Sequence, residues 1–307
     1  MRRAFATVLR CQKLRSDSAM KFGLRYCNTG RYTDPARAVE LLQAGEAAGF
    51  ESAWTVEHTV LPAGYESPYP YSDDGKIAGG NNEIPLPDPL IWMSYVAART
   101  ESILLGTGIL ILPQHNPVTT AKQVATLDLM SGGRVLLGIG VGWLKEEFDA
   151  LGANFDERAA RTDEYVAAMR ALWTEDVPTF SGEFVSFEGA YCRPQPTRSV
   201  PIIVGGHSKA AAKRAGRLGD GFFPARITSP DLLALARDTA AAHSRDPDAL
   251  EITSSLPQNL DDIPALAALG VDRILVPVTP TPGMATWIKS PDEALAWKDN
   301  IERWAEL

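Results

Sequence analysis

The sequence predicts a closed α/β barrel of the (β/α)8 TIM type. Three observations carry the prediction. Strand-like and helix-like runs alternate along the chain, eight of each. The stretch Ile103–Trp143 reads as a complete strand–helix–strand unit with short connections. The length of 307 residues suits one large α/β domain, since such a barrel takes about 250 residues and more with insertions. Strict alternation with short links yields a parallel sheet. A doubly wound open sheet is the alternative, but it normally binds its ligand at a Gly-rich turn after the first strand. Here Cys27-Asn28-Thr29-Gly30 has no GxGxxG, and Gly138–Gly142 lacks that spacing too.

The elements follow in chain order. Residues 1–19 carry Arg2, Arg3, Arg10, Lys13 and Arg15 with no acid before Asp17, and they lack the apolar core of a secretory signal. They read as an extended start of translation or a disordered leader, with a targeting peptide as the other reading. Residues 20–307 read as a single domain. Strand-like runs lie near Lys21–Cys27, Ser52–Val56, Ile103–Leu110, Arg134–Ile139, Pro201–Val204, Gly221–Phe223, Leu250–Ser254 and Arg273–Val276. Helical runs fall between them at Asp34–Ala48, Pro89–Arg99, Val118–Met130, Glu157–Trp173, Lys209–Leu218, Pro230–His243, Ile263–Ala268 and Pro291–Trp304. Ile103–Leu110 is apolar throughout, as a parallel strand covered on both faces should be. Ser131-Gly132-Gly133 stops the helix that follows it. Two insertions stand out. Glu57–Pro87, after the second strand, is rich in Pro and Gly, and a loop this long is usually functional or mobile. Val177–Pro196, before the fifth strand, reads as a small hairpin around Gly182.

Composition excludes several classes. The formal net charge is -8 and no basic block is present, which argues against nucleic acid or an anionic membrane as partner. No apolar run approaches the ~18 residues of a membrane span. Cys11, Cys27 and Cys192 are far apart and form no CxxC pair, so neither a zinc site nor a disulfide framework is expected. A reducing cytoplasm and a small-molecule substrate fit.

The chemistry-bearing residues cluster at predicted strand ends, where barrel enzymes deliver their catalytic groups. His58 follows Glu57 in Trp54-Thr55-Val56-Glu57-His58. A histidine there either gives and takes a proton or bonds loop backbone; both readings stand. Gly205-Gly206-His207-Ser208 follows the fifth strand and opens a helix. Free backbone N–H groups and the helix dipole suit a phosphate there, and an ordinary tight turn is the other reading. Gly106-Thr107-Gly108 sits inside a strand, which suggests a bulge or a close ligand approach. Trp143 ends Gly140-Val141-Gly142-Trp143 and either walls a ring pocket or packs in the core. His115 lines the mouth or faces the surface. Lys145, Glu146 and Glu147 are expected to face solvent.

Three long blocks carry a family resemblance: AGEAAGFESAWTVEH, LGTGILILPQHNPVTTAKQVATLDLMSGGRVLLGIGVGW and PIIVGGHSKAAAKRAGRLGDGFFP. On these the chain resembles the luciferase-like monooxygenase superfamily, particularly its deazaflavin (coenzyme F420)-dependent branch. The resemblance implies a (β/α)8 barrel binding F420 across its C-terminal mouth. It implies that Glu57 and His58 lie where deazaflavin enzymes usually have Asp-His near the reactive ring, with Glu57 orienting His58 or the ring. It implies that Gly108–Ile109, with Thr107 before it, form a bulge behind the ring, often with a non-proline cis peptide. Gly140, Val141 and Gly142 match a cofactor-lining segment. Val204, Gly205, Gly206 and His207 match the loop whose backbone holds the cofactor phosphate. Trp143, Trp54 and His115 are the expected substrate pocket. The similar sugar-phosphate dehydrogenases have an acid where Trp143 stands, so an apolar or aromatic substrate is implied. The alternative within the family is an FMN-dependent two-component monooxygenase, like the alkanal and alkanesulfonate enzymes, using reduced flavin and O2. A homodimer and a flavin or F420 reductase partner are further implications.

Overall fold

The computed structural model describes residues 19–72, 74–77, 83–225 and 228–307. The segment read as a leader lies outside these, apart from its last residue.

Eight parallel strands close into a barrel, as expected. They are β1 (Lys21–Arg25), β2 (Ser52–Thr55), β3 (Leu104–Thr107), β5 (Val135–Gly140), β8 (Ile202–Gly205), β9 (Gly221–Phe223), β10 (Glu251–Ser255) and β11 (Arg273–Pro277). β1 pairs with β11 and β2, and the β3–β5 pairing completes the ring. The short β4 (Leu110–Ile111) continues the third strand and pairs with β5. The unbroken third strand expected from sequence is thus interrupted, at a cis peptide between Gly108 and Ile109. β6 (Phe180–Ser181) and β7 (Ser186–Phe187) form the expected antiparallel hairpin.

The helices outside the barrel are α1 (Pro35–Ala48), α2 (Pro89–Ala97), α3 (Pro117–Ser131), α4 (Lys145–Leu151), α5 (Arg158–Thr174), α6 (Lys209–Leu218), α7 (Pro230–Ala242), α8 (Ile263–Ala268), α9 (Pro291–Ala296) and α10 (Lys298–Trp304). Their ends follow local chemistry. Asn116 caps α3 by accepting the N–H groups of Val118 and Thr119, and Pro117 takes the first position, where no N–H is needed. Gly132 ends the same helix at φ 73°, a left-handed conformation that glycine adopts without penalty. Two differences from the sequence expectation appear. The last helical run divides at Trp297 into α9 and α10. The acidic run after Trp143 forms the unforeseen helix α4.

The core has two layers. Alternate strand residues such as Phe22, Leu24, Leu105, Leu137 and Val276 face outward against the helices. The barrel interior holds a separate cluster of Trp54, Leu136, Ile203, Phe223 and Leu275. Trp54 is wholly buried there and donates from its indole nitrogen to Ser52 Oγ at 2.8 Å. Gly106 makes room for it: a Cβ at that position would lie 2.7 Å from the indole ring. Both facts correct the expectation for Trp54, which forms the floor under the mouth and does not line a substrate pocket. They also give Gly106 a packing role.

Candidate active site

The C-terminal ends of the strands carry the polar groups that the fold leaves for chemistry. His58 lies three residues beyond β2 and is nearly buried, with 9% of its side chain exposed. Its Nδ1 sits 2.9 Å from Oε2 of Glu147 on α4. An ionised carboxylate only accepts hydrogen bonds, so Nδ1 carries the hydrogen and Nε2 is the position left for another group. The other oxygen of Glu147 accepts the N–H groups of Thr59 at 2.6 Å and Val60 at 3.2 Å. Burial alone would raise the Glu147 carboxyl; the bond to His58 and its charge, with the loop N–H group of Val60, bring it below the ordinary value. Glu147 is wholly buried, so the solvent-facing role expected of Lys145–Glu147 is corrected for its most important member. Glu146 is also engaged, accepting the N–H groups of Glu66 and Ser67. The two adjacent acids thus tie the long loop to α4 at two points.

Glu57 does not orient His58. Its carboxylate accepts the N–H of Ile111 at 2.5 Å and pairs with His115 Nε2 at 2.9 Å. It therefore braces the chain just past the cis peptide. Burial tends to lower the His115 pKa, but the bond to Glu57 and its charge outweigh this and raise it. His115 stands at the mouth as a partner of Glu57, with 22% of its side chain exposed.

An aromatic wall rises over His58. Trp143 meets the His58 ring edge-on at 5.8 Å, Tyr65 at 5.5 Å and Tyr69 at 5.1 Å. Tyr69 in turn meets Tyr71 at 5.3 Å. Trp143 thus walls the mouth, and the loop supplies tyrosines that sequence reading did not single out.

The residues expected to hold a cofactor divide. Gly140 and Gly205 both open onto Ile109, whose side chain occupies the space their missing Cβ atoms leave: added Cβ atoms would lie 2.6 and 2.5 Å from it. Ile109 thereby forms an apolar ledge. Gly108 lies against Trp54, and Gly142, at φ 80°, against Phe148 and Ile111. Val141 remains partly exposed at the mouth. Thr107 and Val204 do not reach the mouth with their side chains. Thr107 is wholly buried and donates to Gly138 O at 2.6 Å, and Val204 packs in the outer layer. Gly206, at φ 131°, turns the chain into α6. Ser208 caps that helix by accepting from Ala211, so the first-turn N–H groups of Lys209 and Ala210 have no partner inside the helix. Partly exposed His207 stands beside them. This glycine turn at a helix start fits a phosphate, and the apolar Ile109 side chain beside Gly140 and Gly205 fits a ring. Among the described residues, no group of three or more His, Cys, Asp or Glu side chains is placed to hold a metal ion, and no helix is long and apolar enough to cross a membrane.

A parallel barrel that gathers a braced histidine, an apolar ledge and a glycine turn at a helix start at the C-terminal ends of its strands has the build of a small-molecule enzyme. Residues 20–293 match the family model described as luciferase-like monooxygenase, and the chain belongs to that family. It is an oxidoreductase. The F420-dependent glucose-6-phosphate dehydrogenase of Mycobacterium tuberculosis (strain CDC 1551 / Oshkosh) is 31% identical over 286 residues, covering 88% of this chain and 80% of that protein. Among solved structures, the coenzyme F420 dependent tetrahydromethanopterin reductase from Methanopyrus kandleri shares the fold at a TM-score of 0.71 and 16% identity, covering 93% of this chain and 99% of that one. The monooxygenase RslO1 from Streptomyces bottropensis superposes at 0.60 with 26% identity, covering 94% and 90%.

Proposed function

We propose that this enzyme transfers hydride between bound coenzyme F420 and a small organic substrate. The observation that carries the reading is the His58–Glu147 pair, which leaves Nε2 as the reactive atom beneath an aromatic wall. When bound, F420 supplies a ring carbon that gives or takes hydride. The protein's residues do the rest. Nε2 of His58 gives or takes the proton at the substrate, and Glu147 holds the imidazole in the tautomer and orientation this needs. The turn from Gly205 to Ser208 and the start of α6 hold the phosphate, while Ile109 supports the ring. Trp143, Tyr65 and Tyr69 exclude water from the reacting atoms. The F420-dependent relative at 31% identity supports this assignment.

A second reading, an FMN-dependent monooxygenase using reduced flavin and O2, has the likeness to RslO1 in its favour. Equilibrating the purified protein with F420 and with FMN separately, then measuring retention and oxygen uptake, decides between them. We expect F420 to be retained without oxygen consumption; tight FMN retention with oxygen uptake would replace the proposal by the second reading. Gly206→Asp puts a carboxylate at the phosphate turn, on a backbone that only glycine adopts freely, and should weaken F420 binding by about 10-fold or more through like-charge repulsion and strain together. Unchanged affinity would place the phosphate elsewhere.

A further inference from the structure

Four arginines are buried among the described residues: Arg25, Arg134, Arg214 and Arg273. Two of them are paired with carboxylates, and the third has every guanidinium nitrogen hydrogen-bonded. Arg273 lies between Glu51 and Glu251, and Arg214 is paired with Asp163. Arg134 spends its guanidinium on the carbonyls of Ser131, Ile103, Ala97 and Thr100 and on the Thr100 hydroxyl. Arg25 is the exception. It closes β1 and faces inward like Gly23, toward the C-terminal ends of β9 and β10. One nitrogen donates to Ser255 Oγ at 2.6 Å. The guanidinium carbon sits 4.5 Å from the Tyr26 ring centre and 4.9 Å from that of Phe223. Nε has no hydrogen-bond partner, and the residue is only 6% exposed. No carboxylate among the described residues lies within ion-pair distance of it.

A buried cation with no anion is costly, and stacking on two rings recovers only part of that cost. A fold that places one at the functional end of the barrel retains it for something that binds there. The neighbourhood indicates what. Burial raises the hydroxyl pKa values of Tyr69 and Tyr71, and the Arg25 charge acts on both in the opposite direction. The Arg25 charge therefore reaches the loop tyrosines that extend the Trp143 wall. The glycine turn at the end of β8 lies halfway round the ring of strands from β1. An anion at Arg25 is thus a different group from one at that turn.

We propose that Arg25 and Ser255 bind an oxyanion of the substrate, and that the substrate is a small organic acid whose apolar or aromatic body lies against Trp143 and Tyr69. This rests on reading the mouth as the active site, but not on which redox cofactor the enzyme uses. Guanidinium and hydroxyl offer adjacent donors to one planar or tetrahedral oxyanion, and the tyrosine and tryptophan rings cover a flat body.

The test is a calorimetric titration of the purified full chain with benzoate, benzenesulfonate and phenyl phosphate, with neutral benzamide and inorganic phosphate as controls. At least one of the three phenyl oxyanions should bind about 10-fold or more tighter than benzamide, as expected for hydrogen bonds to a charged group, and which one binds best identifies the headgroup. Arg25→Met should erase that preference, and Arg25→Lys should keep part of it. Equal affinity for benzamide and every oxyanion, a preference that survives in Arg25→Met, or no binding by any probe overturns the proposal. Inorganic phosphate binding as tightly as the phenyl probes overturns the assigned apolar body. If Arg25→Met fails to fold, the wild-type comparison still decides, and Ser255→Ala must then lower the preference. F420 retention measured on the same Arg25 variants should match wild type; a loss confined to F420 would assign Arg25 to the cofactor instead. Absence of F420 binding by the wild type would leave the oxyanion comparison intact.

Discussion

The two ends of this barrel treat charge in opposite ways. At the N-terminal end, a cavity of about 300 Å³ is lined by Glu51, Arg198, Asp220, Glu251 and Arg273, among others. The charges there answer one another: Arg273 on Glu51 and Glu251, Lys21 on Glu251, Arg170 and Arg245 on Asp220. At the C-terminal end, two carboxylates face histidines and Arg25 faces a hydroxyl and two rings. A cavity lined by satisfied ion pairs closes the structure. At the mouth, the His58 imidazole and the Arg25 guanidinium keep nitrogens that no carboxylate among the described residues answers. The presence of a cavity does not separate the two ends; the state of their polar groups does.

The largest expected effect separates the ends by stability. Arg273→Met leaves Glu51 without its partner and Glu251 with Lys21 alone at the N-terminal end. Breaking a buried pair in this way costs about 3–5 kcal/mol, so the urea midpoint should fall sharply while activity per folded molecule is retained. Burial raises the Glu251 carboxyl, but Arg273 and Lys21 outweigh it and hold it down at about 2. Its folded value is depressed, so its contribution is present above the ordinary 4.5 and is lost as pH falls toward about 2. In Arg273→Met that acid-side loss should shrink. An activity defect without a stability defect would mean that the floor takes part in function and would break the comparison.

At the mouth the order reverses. His58→Ala should slow turnover by about 10²-fold or more, the usual range for a general acid–base group, on top of the stability lost when the buried Glu147 carboxylate loses its partner. A loss below about threefold would remove it from the mechanism. Glu147→Gln should cost about 10-fold in kcat with KM nearly unchanged, because it loosens the orientation of His58 without removing it, and Glu147→Asp should restore part of the rate. An equal loss in both Glu147 variants through KM would assign the carboxylate to loop anchoring alone.

Much of this arrangement was legible in the sequence, and what was not has physical reasons. The strand–helix alternation announced the barrel, because short, mostly apolar strand runs recur between helical runs whose ends Pro, Gly, Ser and Asn often mark. The cis peptide at Gly108–Ile109 entered only through the resemblance: Leu105–Leu112 stays apolar across the break, so periodicity runs through it. Glu147 was missed because three adjacent charges read as a solvated face. Yet Leu144, Glu147 and Phe148 follow i, i+3, i+4 spacing, and all three are buried on one side of α4. An acid between two apolar residues on that stripe was the available signal. Arg25 and Trp54 both face into the barrel, and a strand sequence alone does not say which of its faces is the interior.

The smallest expected effect tests whether the second histidine at the mouth braces structure. His115 binds Glu57, which holds the backbone at Ile111 beyond the cis peptide. Burial lowers the imidazole pKa, the bond and charge of Glu57 raise it more, and the folded value lies above the ordinary 6.5. A raised folded value means that the pair's stabilisation is fully present below about 6.5 and is lost as pH rises through the folded value. His115→Gln should therefore cost about 1 kcal/mol at pH ~6 and distinctly less at pH ~9, read from urea midpoints of variant and wild type at each pH. If the two pH values give the same difference, the imidazole contributes as a neutral hydrogen-bonding group only. If turnover falls together with stability at pH ~6, His115 belongs with His58 among the groups that touch the substrate, and the brace moves to the chemical side of the comparison.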